Sequence, residues 1–182
     1  MVAPAAFVEE LAAARIGETF NQYAEGERAQ VRCERLVAYL ERQAGAELML
    51  VGEAPGYRGA RVSGIPFTSE RQLTGAGPGE ASATIVHRVL RELGVEDEVL
   101  LWNLVPTHPH HPGEPSSNRR PTRQEIAAAR PFLEALAGSG AGSELVLGVG
   151  RLAQRELGGP YIRHPSHGGA AEFRATLLAC LS

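Results

Sequence analysis

Glu47-Leu48-Met49-Leu50-Val51-Gly52-Glu53-Ala54-Pro55-Gly56 is the stretch on which the fold turns. Its apolar half fits a strand buried on both faces, and its turn-forming half stops that strand abruptly. Two further runs repeat the pattern: Val99-Leu100-Leu101-Trp102 closes on Asn103, and Leu145-Val146-Leu147-Gly148-Val149 closes on Gly150. A weaker run, Tyr161-Ile162-Arg163, closes on His164.

Helical periods separate these runs. Amphipathic stretches at 5–15 and 26–44 precede the first strand, with Gly45 as a C-cap, and another spans 80–94 and ends at Gly94. Thr122 caps the next helix, with Glu125 three residues on completing a capping box, and that helix runs into Gly138-Ser139-Gly140-Ala141-Gly142-Ser143, read as a surface connection. Residues 169–181 form the last helix. Strand and helix in alternation predict an α/β fold, a three-layer α/β/α sandwich around a four-stranded parallel sheet. Ligands of such sheets sit at the C-terminal ends of the strands, which is where Glu53, Asn103 and His164 fall.

At 182 residues and 43% hydrophobic content, the chain suits one domain, with N-terminal helices over 1–45 and an α/β core over 46–182. Cys33 and Cys180 have neither the spacing of a metal knuckle nor the density of a disulfide scaffold, so a reducing, cytoplasmic setting is expected. The apolar start, Met1 to Ala14, carries Glu9 and Glu10 and no basic leading segment, unlike a secretory signal. No run is long enough to span a membrane. A net charge of −3 gives no global case for nucleic-acid binding, so any such site must be locally basic.

Residues 52–79, rich in glycine and proline, form a long loop of the kind compact domains keep for binding or catalysis. Within it, Ile65-Pro66-Phe67-Thr68-Ser69-Glu70 offers an aromatic face for a planar base and a second carboxylate beside Glu53. Asn103 offers a donor and an acceptor, enough to read one edge of an imide. His164-Pro165-Ser166-His167-Gly168-Gly169 sets an imidazole and backbone amides before a helix, a suitable place for an anion. Taken alone, the Gly52–Gly56 turn and Asn103 are better served by a structural role, a solvated turn and a turn asparagine, while Phe67 plugging the core and a satisfied structural His164 stand level with the functional readings. His108, His110 and His111 lack a companion ligand at a recognised spacing, so no metal is expected.

Taken in order, the motifs resemble those of the uracil-DNA glycosylase superfamily, particularly its fourth, iron–sulfur branch. Gly52-Glu53-Ala54-Pro55-Gly56 looks like that branch's first motif, and Gly64-Ile65-Pro66-Phe67 like its next. The stretch from Asn103 to Asn118-Arg119-Arg120-Pro121 and Glu125, the turn Gly148 to Ala153, and His164-Pro165-Ser166 follow in the family's sequence.

The resemblance implies hydrolysis of the N-glycosidic bond of uracil or another deaminated base flipped out of DNA, within base excision repair. It implies that Phe67, Ala54 and Asn103 bind the base, that His164 stabilises the departing base, and that Glu53 orients water. Gly56, Tyr57, Arg58, Ser69, Arg119, Arg120, Ser166, His167 and Gly168 would meet the DNA. The chain departs from the fourth branch in lacking the cluster cysteines, so no iron–sulfur cluster or other cofactor is expected. Phe67-Thr68-Ser69-Glu70 is closer to the fifth branch, which carries an aspartate at the place of Glu70, so Glu70 competes with Glu53 for the water. After Ser166 no bulky apolar wedge follows, which keeps a second reading open: a damaged-DNA-binding module of the same fold with little catalysis. A monomer is expected.

Overall fold

The computed structural model describes residues 3–138 and 145–181. Its elements run α1 (Pro4–Ala13), β1 (Thr19–Phe20), α2 (Ala29–Arg42), β2 (Leu48–Gly52), α3 (Ala60–Ser63), α4 (Glu70–Thr74) and α5 (Ala81–Leu93). A short 3-10 turn, Glu96–Glu98, leads into β3 (Val99–Asn103), followed by β4 (His108–Pro109), α6 (Arg123–Gly138), β5 (Leu145–Gly148), α7 (Arg151–Leu157) and α8 (Ala170–Leu181). Residues 139–143 of the expected surface connection lie outside the described residues.

The sheet is mixed with helices as the alternation predicts, and it is parallel, in the order β3-β2-β5. Every residue of β2 and β3 is buried, which explains their unbroken apolar composition. Leu145 and Val146 at the start of β5 are more open. The four-stranded expectation is corrected to three strands among the described residues. Ile162 forms only one parallel bridge, to Val149, and its carbonyl accepts the Gly150 N–H at 2.8 Å. Its neighbours leave no strand to extend: Pro160 has no N–H, and the Arg163 N–H goes to Thr176 Oγ1 at 3.1 Å.

Helix ends agree with the sequence at some points and shift at others. Gly94 caps α5 as read, whereas α2 stops at Arg42 and is capped by Gln43, whose N–H reaches Tyr39 O, so Gly45 lies beyond the cap. Thr122 and Glu125 form the reciprocal capping box, with Thr122 N–H on Glu125 Oε2 at 2.8 Å and Glu125 N–H on Thr122 Oγ1 at 3.1 Å. The long loop after β2 contains two short helices, α3 and α4.

An antiparallel pair absent from the expectations joins β1 to β4. It staples the N-terminal segment to the loop after β3, helped by Gln22 Nε2 donating to Pro106 O at 2.7 Å. Phe7 of α1 packs edge-on against Trp102 of β3, with ring centroids 5.7 Å apart, and against Phe132 of α6 at 5.8 Å. One continuous cluster of buried side chains therefore runs from Phe7 to Leu177. On β3, the Tyr39 hydroxyl accepts the Leu101 N–H at 2.7 Å and donates to the Leu101 carbonyl at 3.3 Å. Burial raises the pKa of this phenol.

Candidate active site

Gly52 and Asn103 are register partners at the ends of β2 and β3, so the loops that follow leave the sheet side by side. The N–H of Leu104 bonds to Gly52 O at 2.9 Å, and that of Val105 to Glu53 O at 3.2 Å, continuing the pairing beyond the strands. A cleft of about 880 Å³ opens over this edge. Glu53, Ala54, Phe67, Asn103 and His164 all line it.

Gly52 is required by what lies against it. A Cβ there would sit 2.5 Å from Phe67 Cζ and 2.9 Å from Asn103 Oδ1. The aromatic ring and the amide thus meet over a backbone with no side chain. Phe67 is held at φ 52°, and His167, also on the cleft wall, at φ 53°. They are the non-glycine residues with left-handed backbone among the described residues. Such conformations cost of order 1–3 kcal/mol each and cluster at functional sites.

His164 packs against the turn after β5, where a Cβ on Gly150 would lie 3.5 Å from its own. Its Nδ1 accepts the Ser166 N–H at 3.1 Å and lies 2.8 Å from Ser166 Oγ. An acceptor Nδ1 puts the ring proton on Nε2, which has no protein partner among the described residues. Burial, then the charges of Arg163 and His167, lower the His164 pKa, so the neutral ring with an Nε2–H donor dominates at neutral pH.

Glu53 is partly exposed, with Arg120 Nε 3.8 Å from its Oε2. Glu70, the competing carboxylate, does not line the cleft. It is buried against two guanidinium groups, Arg35 and Arg28, each with a contact of 2.8 Å. Those hydrogen bonds pull its pKa down despite burial.

The expected DNA-contacting residues divide in the same way. Gly56, Arg119, Arg120, Ser166 and His167 line the cleft, whereas Tyr57, Arg58, Ser69 and Gly168 do not. Ser69 is buried in a capping box with Gln72 at the start of α4. Arg119 is committed to Glu125 through contacts of 2.6 and 2.8 Å, and these bonds raise its pKa. Arg163 is similarly tied to Glu172 and to the His164 carbonyl. Arg120 and Arg151 remain the more open cations of the wall, Arg151 lying 5.9 Å from the Tyr161 ring centroid.

Glu80, Arg151 and Tyr161 line the cleft and were not picked out by the sequence. Glu80 precedes a helix and Tyr161 sits in an apolar run, so neither carried a motif. Among the described residues, no three histidine, cysteine or acidic side chains gather as a metal site requires. Two cysteines cannot supply the four thiolates of an iron–sulfur cluster, so the residues present do not fit that group. No helix among the described residues is long and apolar enough to cross a membrane.

A cleft at the carboxyl edge of a parallel sheet, lined by a carboxylate, an aromatic face, an amide and a histidine, defines an α/β protein with a concave site where such sheets hold their ligands. The chain belongs to the uracil DNA glycosylase superfamily, whose family model matches residues 41–179. Among solved structures it is similar to wild-type SMUG2 of Pedobacter heparinus, with a TM-score of 0.70 at 13% identity, covering 100% of this chain and 97% of that one. At that identity the likeness concerns the fold alone. No curated protein matches the sequence.

Proposed function

We propose that the protein is a monofunctional DNA glycosylase that hydrolyses the N-glycosidic bond of uracil or another deaminated base flipped out of DNA. The observation that carries this reading is the meeting of Phe67 and Asn103 over Gly52, in the cleft that also holds Glu53 and His164. A base inside a duplex is inaccessible, so it must leave the stack and be read by stacking and by hydrogen bonds to its edge. Phe67 supplies the stacking face and Asn103 the edge-reading amide.

Cleavage leaves negative charge on the base and positive charge on the sugar. A neutral His164 donates its Nε2–H to the base oxygen as that charge grows, which favours the transition state over the bound substrate. Glu53 orients the attacking water and stabilises the oxocarbenium-like sugar, as carboxylates do in glycosidases. The ion-paired setting of Glu70 favours Glu53 for this work. Arg120 and Arg151 receive phosphates at the cleft rim.

The test is an oligonucleotide carrying one uracil, hypoxanthine or xanthine, single- or double-stranded, incubated with the protein and treated with alkali. Strand breaks at the damaged position are expected. Binding without breaks would replace the enzyme with a damage-binding module.

A further inference from the structure

Glu80 lies at the start of α5, and its carboxyl group rests against the loop that follows β2. Its oxygens occupy the space that side chains on Gly56 and Gly59 would fill. Among the described residues that carboxyl has no hydrogen bond and no ion pair, although it lines the cleft. A half-buried carboxyl with no internal partner is costly unless a ligand or water completes it.

Its position relative to the other base-handling groups is fixed by the chain. Phe67 and Asn103 press on the Gly52 end of the Gly52–Gly56 segment, and Glu80 presses on the Gly56 end. If a planar base lies along this segment with its Watson–Crick edge at Asn103, its far edge falls on the Glu80 side. On uracil that edge carries only C–H groups. On a deaminated purine it carries N7, a hydrogen-bond acceptor.

We propose that Glu80 is a specificity-determining residue whose carboxyl O–H donates to N7 of a flipped deaminated purine, opposite the edge read by Asn103. The assignment rests on the glycosylase reading above. Burial moves the Glu80 pKa upward, and a hydrogen bond that only the neutral acid can make, to N7 of the bound base, holds the proton on the carboxyl. The bond strengthens as the departing base gains negative charge, so it aids excision as well as binding.

Single-turnover excision of hypoxanthine and of uracil by the full chain tests this assignment. Wild type excises both. Glu80→Leu lowers the ratio of the hypoxanthine rate to the uracil rate by about tenfold or more, the scale of one lost hydrogen bond to the reacting base. Glu80→Gln, whose amide still donates, keeps that ratio within about threefold. If melting curves reveal that Glu80→Leu is unfolded, Glu80→Ala, which empties the space against Gly56 and Gly59, carries the same comparison. An equal loss on both bases, a Gln variant as impaired as Leu, or a wild type that excises uracil but no deaminated purine overturns the proposal. A wild type that excises nothing overturns the glycosylase reading instead.

Discussion

The ring of Phe67 occupies the space that a side chain on Gly52 would need, its Cζ standing 2.5 Å from the position of a Cβ there. Backbone and ring are therefore one unit, and the amide of Asn103 shares it. Gly52→Ala is expected to displace both groups. Misplacing reacting groups by an ångström costs about 10²-fold in rate. Single-turnover excision should fall by about that factor, and a variant that keeps the wild-type rate would contradict the arrangement.

His164→Ala should slow excision by about 10²–10³-fold, because the donor aimed at the departing base is lost. Ser166→Ala should be milder, since the Ser166 backbone N–H still fixes the ring tautomer.

The pH profile follows from the same hydrogen bond. The His164 pKa lies below the ordinary histidine value of 6.5, so the functional neutral ring persists through neutral and alkaline pH. On acidification a proton arrives at Nδ1 and opposes the Ser166 N–H. The acid limb of the rate profile assigned to this residue should therefore lie below pH 6.5, and its absence from the His164→Ala profile is the check.

The two carboxylates should separate cleanly. Glu53→Gln is expected to lower excision with little change in melting temperature. Glu70→Gln breaks the contacts to Arg28 and Arg35 and should cost about 1–3 kcal/mol in urea unfolding, with excision retained. The folded-state pKa of Glu70 is depressed below 4.5, so its stabilising contribution is present above that pH and is lost as pH falls through the folded value. Wild-type stability should drop accordingly in acid more than that of Glu70→Gln.

The arginines also divide by task. Replacing Arg120 or Arg151 by Ala should weaken binding to DNA and reduce the salt dependence by about one counterion each. Arg119→Ala should instead destabilise the fold by about 3 kcal/mol, because it leaves the buried Glu125 carboxylate without its counter-charge, held only by the Thr122 N–H. Salt-dependent binding isotherms and denaturant titrations distinguish the two outcomes.

The three strands and the motifs at their ends could be read in the chain because buried parallel strands are continuous apolar runs and their loops are abrupt. The capping box of Thr122 and Glu125 was legible for the same local reason. What escaped is long-range. Nothing around Glu70 announces Arg28 and Arg35 on a distant segment, so its buried ion pairs could not be read from the motif. Nothing near Arg119 distinguishes it from Arg120, though one is locked to Glu125 and the other open. The β1–β4 pair is too short for a strand period, and Tyr161-Ile162-Arg163 has the composition of a strand without the free backbone groups to be one.

The hydroxyl of Tyr39, bonded to both backbone groups of Leu101, lies on an outer strand of the sheet. An uncovered outer strand is a template on which a second chain can add itself, the first step of aggregation. At this position the hydroxyl occupies the groups a foreign strand would need. One aromatic side chain from a helix thereby closes the β3 edge of the sheet at its middle residue.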